Sequence, residues 1–239
     1  MEAKNKSAIS TAVFFTVLVI IALFVARVFY FYQKIQKEGI DVARLSFTER
    51  QTKSVLTAMA AAPKPDIANL ESGRILSGSN DAPVKIVVFS DFECPYSQEA
   101  AFTLRAAMYD KGGDIAVIPR HFPLSDIHKN AFQAALASEC AREQDAFWPY
   151  YDKLFQNQYD LSDDALARYA SELNLDENRF SKCLDEQTYK DDVLKDYEDG
   201  LNAGVFGTPS FFFNGVRVDG AIPRDILNGI IDAYANKSK

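Results

Sequence analysis

A proline directly after a cysteine, where an apolar strand-like run gives way to a helical pattern, constrains this chain more than any other feature. The run Val84-Lys85-Ile86-Val87-Val88-Phe89 leads through Ser90-Asp91-Phe92-Glu93 into Cys94-Pro95-Tyr96-Ser97, and a helix-like stretch follows. Proline is tolerated in the first turn of a helix, where its missing N–H would have had no partner and its φ is already helical. Cys94 is therefore expected at the helix N-cap. The unpaired N–H groups and partial positive charge of that helix end favour a thiolate over a thiol, which makes the cysteine a nucleophile. A buried cysteine beside a turn is the plainer alternative.

Three segments extend this motif: Phe89-Ser90-Asp91-Phe92-Glu93-Cys94-Pro95-Tyr96, then His121-Phe122-Pro123-Leu124, then Gly207-Thr208-Pro209-Ser210-Phe211-Phe212-Phe213-Asn214-Gly215. Together they resemble the DsbA-like disulfide oxidoreductases of the thioredoxin superfamily, from about Gly73 to the C-terminus. The resemblance implies a cis Thr208-Pro209 peptide lying against Cys94, with backbone free to pair with an extended substrate segment. It also implies disulfide- or thiol-bearing proteins as substrates.

Two departures from the family pattern bear on the chemistry. Family members that make disulfides carry Cys-x-x-Cys, whereas Ser97 stands at the second position here, so the site is a monothiol variant. Six residues before Cys94, where the family commonly has a buried glutamate that manages the proton of the second cysteine, the chain has Val88. A lone carboxyl in an apolar strand is costly. With no second thiol to serve, an apolar residue packs better there, so the two changes fit one account. A Cys94–Ser97 pair cannot form an internal disulfide, so a mixed disulfide on Cys94 must be released by another thiol. That thiol comes from the substrate itself, from glutathione, or from another thiol reductant.

The chain has 239 residues and a net charge of -7, with no basic cluster in its soluble part, which argues against nucleic acid as a partner. Its two histidines and three cysteines have no metal-ligand spacing, so neither metal nor cofactor is expected. Ala8 to Ala26 is an unbroken stretch of nineteen apolar or small uncharged residues, long enough to span a bilayer. Lys4 and Lys6 precede it, and Arg27 and the aromatic cluster Phe29-Tyr30-Phe31-Tyr32 follow, as in an interfacial belt. A cleaved signal peptide is the rival, but its apolar core runs to about 7–15 residues and ends at small residues. Phe24-Val25-Ala26-Arg27 is a poor cleavage site, and Ala58-Met59-Ala60 comes far too late. The flanking charges nearly balance across the segment. Orientation therefore rests on Cys140 and Cys183, read as a structural disulfide of the kind that persists outside the cytoplasm. The chain is expected in a bacterial cytoplasmic membrane as a single-pass protein, embedded through residues 8–32, with its soluble domain facing the periplasm or cell exterior.

The remaining organisation follows from pattern. Residues 1–7 are a short tail, 8–32 the anchor, and 33–72 a juxtamembrane linker with a helical middle and a Pro63-Lys64-Pro65 break. Residues 73–122 and 204–239 are assigned to an α/β thioredoxin fold, beginning with a short strand at 74–78, and 123–203 to an inserted α-helical domain. Within the insertion, Ser125 to Gln158, Ser162 to Leu173, Asp176 to Asp185 and Thr188 to Ala203 read as helices, with Ser162 and Asp176 as caps. Asn214-Gly215 marks a two-residue hairpin turn, and Pro223-Arg224-Asp225 starts a terminal helix.

A Cys140–Cys183 bridge would close a loop of about 44 residues, worth on the order of 4 kcal/mol in the chain-entropy model. Two buried free thiols, or a second redox centre, are the alternatives. His121 and His128 are read as packing or surface residues in preference to partners of Cys94. Asp91 and Glu93 are read as solvated loop acids, although close carboxylates would oppose a thiolate. The aromatic runs at 147–151 and 211–213 are read as core. The resulting reading is a membrane-anchored thiol-disulfide oxidoreductase of isomerase or reductase type. A non-catalytic peptide-binding module and a glutathione-dependent transferase or isomerase are the alternatives.

Overall fold

The computed structural model of the chain describes residues 2–62, 70 and 77–236, and, within the first helix, the side chains of 16–33 and 48–62. Its contacts divide it into residues 1–51 and residues 52–239. Helix α1 (Glu2–Ala61) is unbroken. The expected change from anchor to linker near residue 32 therefore leaves no break in the backbone. The stretch after it holds no proline before Pro63 and is rich in the helix formers Lys, Gln, Glu and Ala. Thr16–Gln33 is 18 residues long and apolar enough to cross a membrane by length and composition. Its Val17, Leu23, Phe24 and Val28 are exposed. The Pro63-Lys64-Pro65 break and residues 74–76 of the expected first strand lie outside the described residues.

The second unit is built on a four-stranded sheet in the order β2-β1-β3-β4. Strand β1 (Val84–Ser90) is linked through helix α2 (Pro95–Lys111) to β2 (Ile115–His121), which pairs with it in parallel. Strand β3 (Ser210–Phe213) pairs antiparallel to β1, with Phe89 opposite Ser210, and β4 (Val216–Asp219) returns beside β3. Asn214 and Gly215 both have positive φ, as a tight two-residue hairpin turn requires. Alternate side chains of β1 enter different layers. Ile86 and Val88 join Leu104, Phe211, Ile230 and Ile231 on one face, where helix α8 (Arg224–Ala235) and Met59 pack. Val87 and Phe89 join Ile118, Phe122 and Phe212 on the other. With both faces covered, β1 reads as a nearly continuous apolar run.

Between β2 and β3 lie α3 (Ala131–Arg142), α4 (Phe147–Gln156), α5 (Asp163–Glu172), α6 (Glu177–Asp185) and α7 (Lys190–Asn202). Here the structure corrects one expectation: the span from Ser125 to Gln158 is two helices, not one. Pro149 cannot continue a helix from α3 because its ring would clash with the carbonyl four residues back. It is accepted in the first turn of α4, after Asp145 turns the chain with a positive φ. Asp176 caps α6 by accepting a hydrogen bond from Arg179 N at 3.0 Å. Ser162 occupies the N-cap of α5 but donates its hydroxyl to Asp160 Oδ1 instead. These helices share an apolar layer containing Tyr150, Leu154, Phe155, Leu166 and Phe180. Within it Cys140 of α3 and Cys183 of α6 are joined, with S–S 2.00 Å and Cα–Cα 5.8 Å.

Ser77 donates no strand of its own to the sheet but accepts a hydrogen bond from Val117 N at 2.8 Å, and Gly78 then turns away with φ 87. A Cβ on Gly78 would lie 2.0 Å from Ile115 O, whereas one on Gly220, φ 89, would meet nothing within 4 Å. Gly220→Ala should lose only the left-handed backbone cost of about 1–2 kcal/mol. Gly78→Ala should lose clearly more, because backbone must move as well; urea unfolding of the two variants makes the comparison. Cys140→Ser should lower stability by about 4 kcal/mol if loop closure dominates. Alkylation of the unfolded, unreduced chain should modify Cys94 alone, and reduction should expose all three cysteines to the reagent. Mass spectrometry showing two or three modified sites without reductant contradicts the bridge.

Candidate active site

The end of β1 and the start of α2 form the centre of the site. Cys94 is the N-cap of α2, with φ -77 and ψ 120, and Pro95 follows in the first turn. The extended conformation at Cys94 lets its carbonyl accept the hydrogen bond from Gln98 N, at 3.1 Å, while its side chain leaves the helix axis. Cys94 is 5% exposed, and its thiol donates to Thr208 O at 3.2 Å. The Thr208-Pro209 peptide is cis. The pairing of Phe89 with Ser210 brings these two segments together, since it sets the approach to β3 beside the end of β1.

Ser97 lies one turn into α2 and is 0% exposed. Its hydroxyl accepts a hydrogen bond from Asp91 N at 3.3 Å, so it is tied to the backbone of the preceding loop. Tyr96, by contrast, is 65% exposed. Val88 is buried in the layer with Leu104 and Phe211. Beside Thr208 and Pro209 opens a cleft of about 300 Å³, walled by Gly204, Arg217 and Asp219 and rimmed by Phe206, which is 85% exposed. Cys140 and Cys183 are held in the helical layer by their mutual bond, and Cys94 is the free cysteine.

Contrary to the expectation of free, solvated acids, both loop acids are engaged by the protein, Asp91 buried and Glu93 half-buried. The Asp91 carboxylate is buried and accepts from Glu93 N at 2.7 Å and Leu124 N at 2.7 Å, with His128 Nδ1 at 2.9 Å. Glu93 accepts from Asn130 N at 2.7 Å and Asn130 Nδ2 at 3.1 Å. The reason is topological: the chain leaving β2 returns over the loop before Cys94, and its backbone donors need acceptors there. His121 is likewise engaged elsewhere, its Nε2 lying 2.9 Å from Glu139 Oε1. Both histidines therefore have carboxylate partners. Phe92 turns inward against Phe155 and Tyr151, with ring centroids 4.9 and 5.6 Å away. Burial pushes the phenols of Tyr150 and Tyr151 well above the usual tyrosine range, with Asp152 adding to the effect on Tyr151. They pack as neutral groups.

Sequence reasoning did not find Asn130, Gln98 or Gln158 at this site. Gln158 Nε2 donates to both Phe92 O and Cys94 O at 2.8 Å, and Gln98 Nε2 donates to Phe155 O. Nothing in the spacing of these polar residues marks them, because their partners lie up to 66 residues away. Phe206 had a local signal in its place beside Gly207-Thr208-Pro209.

Residues 71–233 match the thioredoxin family model. Among solved structures, the chain is similar to BdbD from Bacillus subtilis, with a TM-score of 0.62 and 24% identity over 73% of this chain and 97% of that one. It is similar also to alpha-DsbA1 from Wolbachia pipientis, with a TM-score of 0.60 and 23% identity over 68% and 90%. The catalytic domain of Proteus mirabilis ScsC has a TM-score of 0.59 and 20% identity over 78% and 98%. Among curated proteins, the Na(+)/H(+) antiporter NhaA 3 of Salinispora tropica is 37% identical over 160 residues, which is 66% of this chain and 24% of that protein. The Na(+)/H(+) antiporter NhaA of Herminiimonas arsenicoxydans is 33% identical over 158 residues, 66% of this chain and 25% of that protein. The chain thus spans about a quarter of the length of these relatives. On its matched span and its architecture together, the chain belongs to the thioredoxin family and carries the fold of the DsbA-like thiol-disulfide oxidoreductases.

Proposed function

We propose that this chain is a membrane-anchored, extracytoplasmic thiol-disulfide oxidoreductase that acts through Cys94 alone. The observation that carries the reading is the Cys94 thiol at a helix N-cap, 3.2 Å from Thr208 O, with a serine hydroxyl where a second thiol would stand. In the first step the Cys94 thiolate attacks one sulfur of a substrate disulfide. A Cys94–substrate S–S bond forms, and the other substrate sulfur leaves as a thiolate. The Ser97 hydroxyl cannot expel the substrate, since an O–H does not form the S–S bond that release requires. A further thiol must attack the mixed disulfide and return Cys94 as a thiolate. If that thiol belongs to the substrate, the net reaction is isomerisation; if it belongs to glutathione, the substrate sulfur is left as a glutathione mixed disulfide, and attack by a second glutathione releases the substrate thiol and forms glutathione disulfide, completing a reduction. The Cys94–Ser97 pair holds no disulfide of its own to pass to a dithiol.

The anchor is assigned to residues 8–32, with 1–7 as a tail and 33–72 as a juxtamembrane segment. Residues 73–122 and 204–239 are assigned to the thioredoxin domain and 123–203 to its insertion. The apolar stretch Thr16–Gln33 supports membrane attachment, and the Cys140–Cys183 bond supports an oxidising compartment such as the periplasm or cell exterior. The antiporter activity named for the curated relatives is not extended to this chain. A peptide-binding role without turnover draws on one observation, the exposed Phe206 at the rim of the cleft beside Pro209.

Incubation with glutathione disulfide should convert the wild-type chain to a stable Cys94 mixed disulfide, while dithiol oxidase turnover stays near background. Cys94→Ala should abolish both the adduct and disulfide isomerisation turnover; if it keeps peptide binding and the wild type shows no chemistry, the binding-module reading replaces this one. Ser97→Cys should gain partial oxidase activity. Adding Val88→Glu should raise it by up to about 100-fold near neutral pH, the low end of what a positioned proton acceptor supplies. Wild-type oxidase turnover equal to that of Ser97→Cys would falsify the monothiol mechanism. Separately, protease added to intact cells with a permeabilised outer barrier should digest the domain after residue 72, while a chain protected until the inner membrane is broken contradicts the orientation.

A further inference from the structure

We propose that Gln158 is a positioning residue for Cys94, a clamp from the helical region that fixes the nucleophile's N-cap geometry; the inference rests on the oxidoreductase reading above. Gln158 lies in the turn after α4, 64 residues from Cys94, and is 6% exposed. Its Nε2 lies 2.8 Å from both Phe92 O and Cys94 O. Both acceptors are carbonyl oxygens, so the amide must present its NH2 group and not its oxygen. The two N–H bonds hold the Phe92–Glu93 and Cys94–Pro95 peptide units, one on the approach to Cys94 and one leaving it. Gln98 reaches the other way, donating to Phe155 O, so α2 and the end of α4 are cross-tied by two amides.

The remaining residues of this loop are held by the same insertion. Asp91 is bound by Leu124 N and His128, Phe92 packs on Phe155, and Glu93 is bound by Asn130. Gln158 differs from these in acting on Cys94 itself. Its bond and that of Gln98 N share one carbonyl, and that carbonyl defines where the first turn of α2 begins. Releasing the Gln158 bond frees the N-cap to rotate, which moves Sγ relative to Thr208 O and to an incoming disulfide. Misplacing a reacting atom by a fraction of its contact distance is enough to slow a displacement strongly. Gln158 touches neither the sulfur nor the substrate and acts through backbone alone.

The test is the second-order rate at which Cys94 reacts with glutathione disulfide in the full chain, alongside the melting temperature. Gln158→Met keeps the length of the side chain and removes both donors; the rate should fall on the order of tenfold. Gln158→Glu keeps the shape but donates one bond when protonated and none when ionised. Its rate relative to the wild-type chain, taken at each pH so that the titration of the thiol itself cancels, should recover as pH falls. Gln158→Met reacting at the wild-type rate overturns the proposal, and so does a lowered melting temperature with rates unchanged, which would assign Gln158 to stability alone. A wild-type chain that reacts no faster than Cys94→Ala overturns the oxidoreductase reading and this proposal with it. A reactive wild type with an equally reactive Gln158→Met overturns this proposal alone.

Discussion

The register of β3 against β1 is the constraint on which the site depends. Phe89 lies opposite Ser210, so the residues just before Ser210 must cross beside those just after Phe89. Those residues are Thr208-Pro209 on one side and the loop to Cys94 on the other. The Thr208-Pro209 peptide is cis, and Thr208 O faces the thiol at 3.2 Å. A slip of one residue would turn every side chain of β3 to the opposite face of the sheet. Phe211 and Phe213 would leave the layer of Val88 and Leu104, and Phe212 would leave that of Phe89 and Phe122. The apolar cores on the two faces therefore hold the register, and through it the contact between the thiol and the carbonyl.

Holding Cys94 in that frame falls largely to the helical region between β2 and β3. A buried carboxylate such as Asp91 is costly unless it is hydrogen-bonded, and it accepts from two backbone N–H groups with a histidine nitrogen beside it. These bonds tie the loop before Cys94 to the chain leaving β2. Phe92 adds an apolar anchor in the layer of Tyr151 and Phe155. The same layer contains the Cys140–Cys183 bond, which links α3 to α6. The insertion is thus continuous with the active-site loop, and its packing and its polar contacts converge on four consecutive residues.

Ser97 fits this frame without supplying redox chemistry. Its hydroxyl accepts from Asp91 N, a role that needs a small polar atom in a buried position. Val88 lies in an apolar layer where a carboxylate would lack water. Ser97 offers no sulfur that could bond to Cys94, and Val88 offers no carboxylate.

The sequence by itself determined the local elements of the site. Strand β1, the proline-capped start of α2, the Asn214-Gly215 hairpin and the Asp176 cap each follow from neighbouring residues, through periodicity, a fixed proline φ, or a side chain that reaches its own backbone. The three-segment motif pointed to the thioredoxin fold through its resemblance to the DsbA-like oxidoreductases. Pro149 also carried the end of the overlong helix from Ser125, although periodicity alone concealed it. Only the tertiary structure decided which distant groups meet. The burial of Asp91 against Leu124 and His128, the attachment of Asn130 to Glu93 and the reach of Gln158 to Cys94 join segments tens of residues apart. Such contacts depend on how the helical insertion folds back over the loop, and a polar side chain in sequence gives no sign of which buried carbonyl or carboxylate it will satisfy.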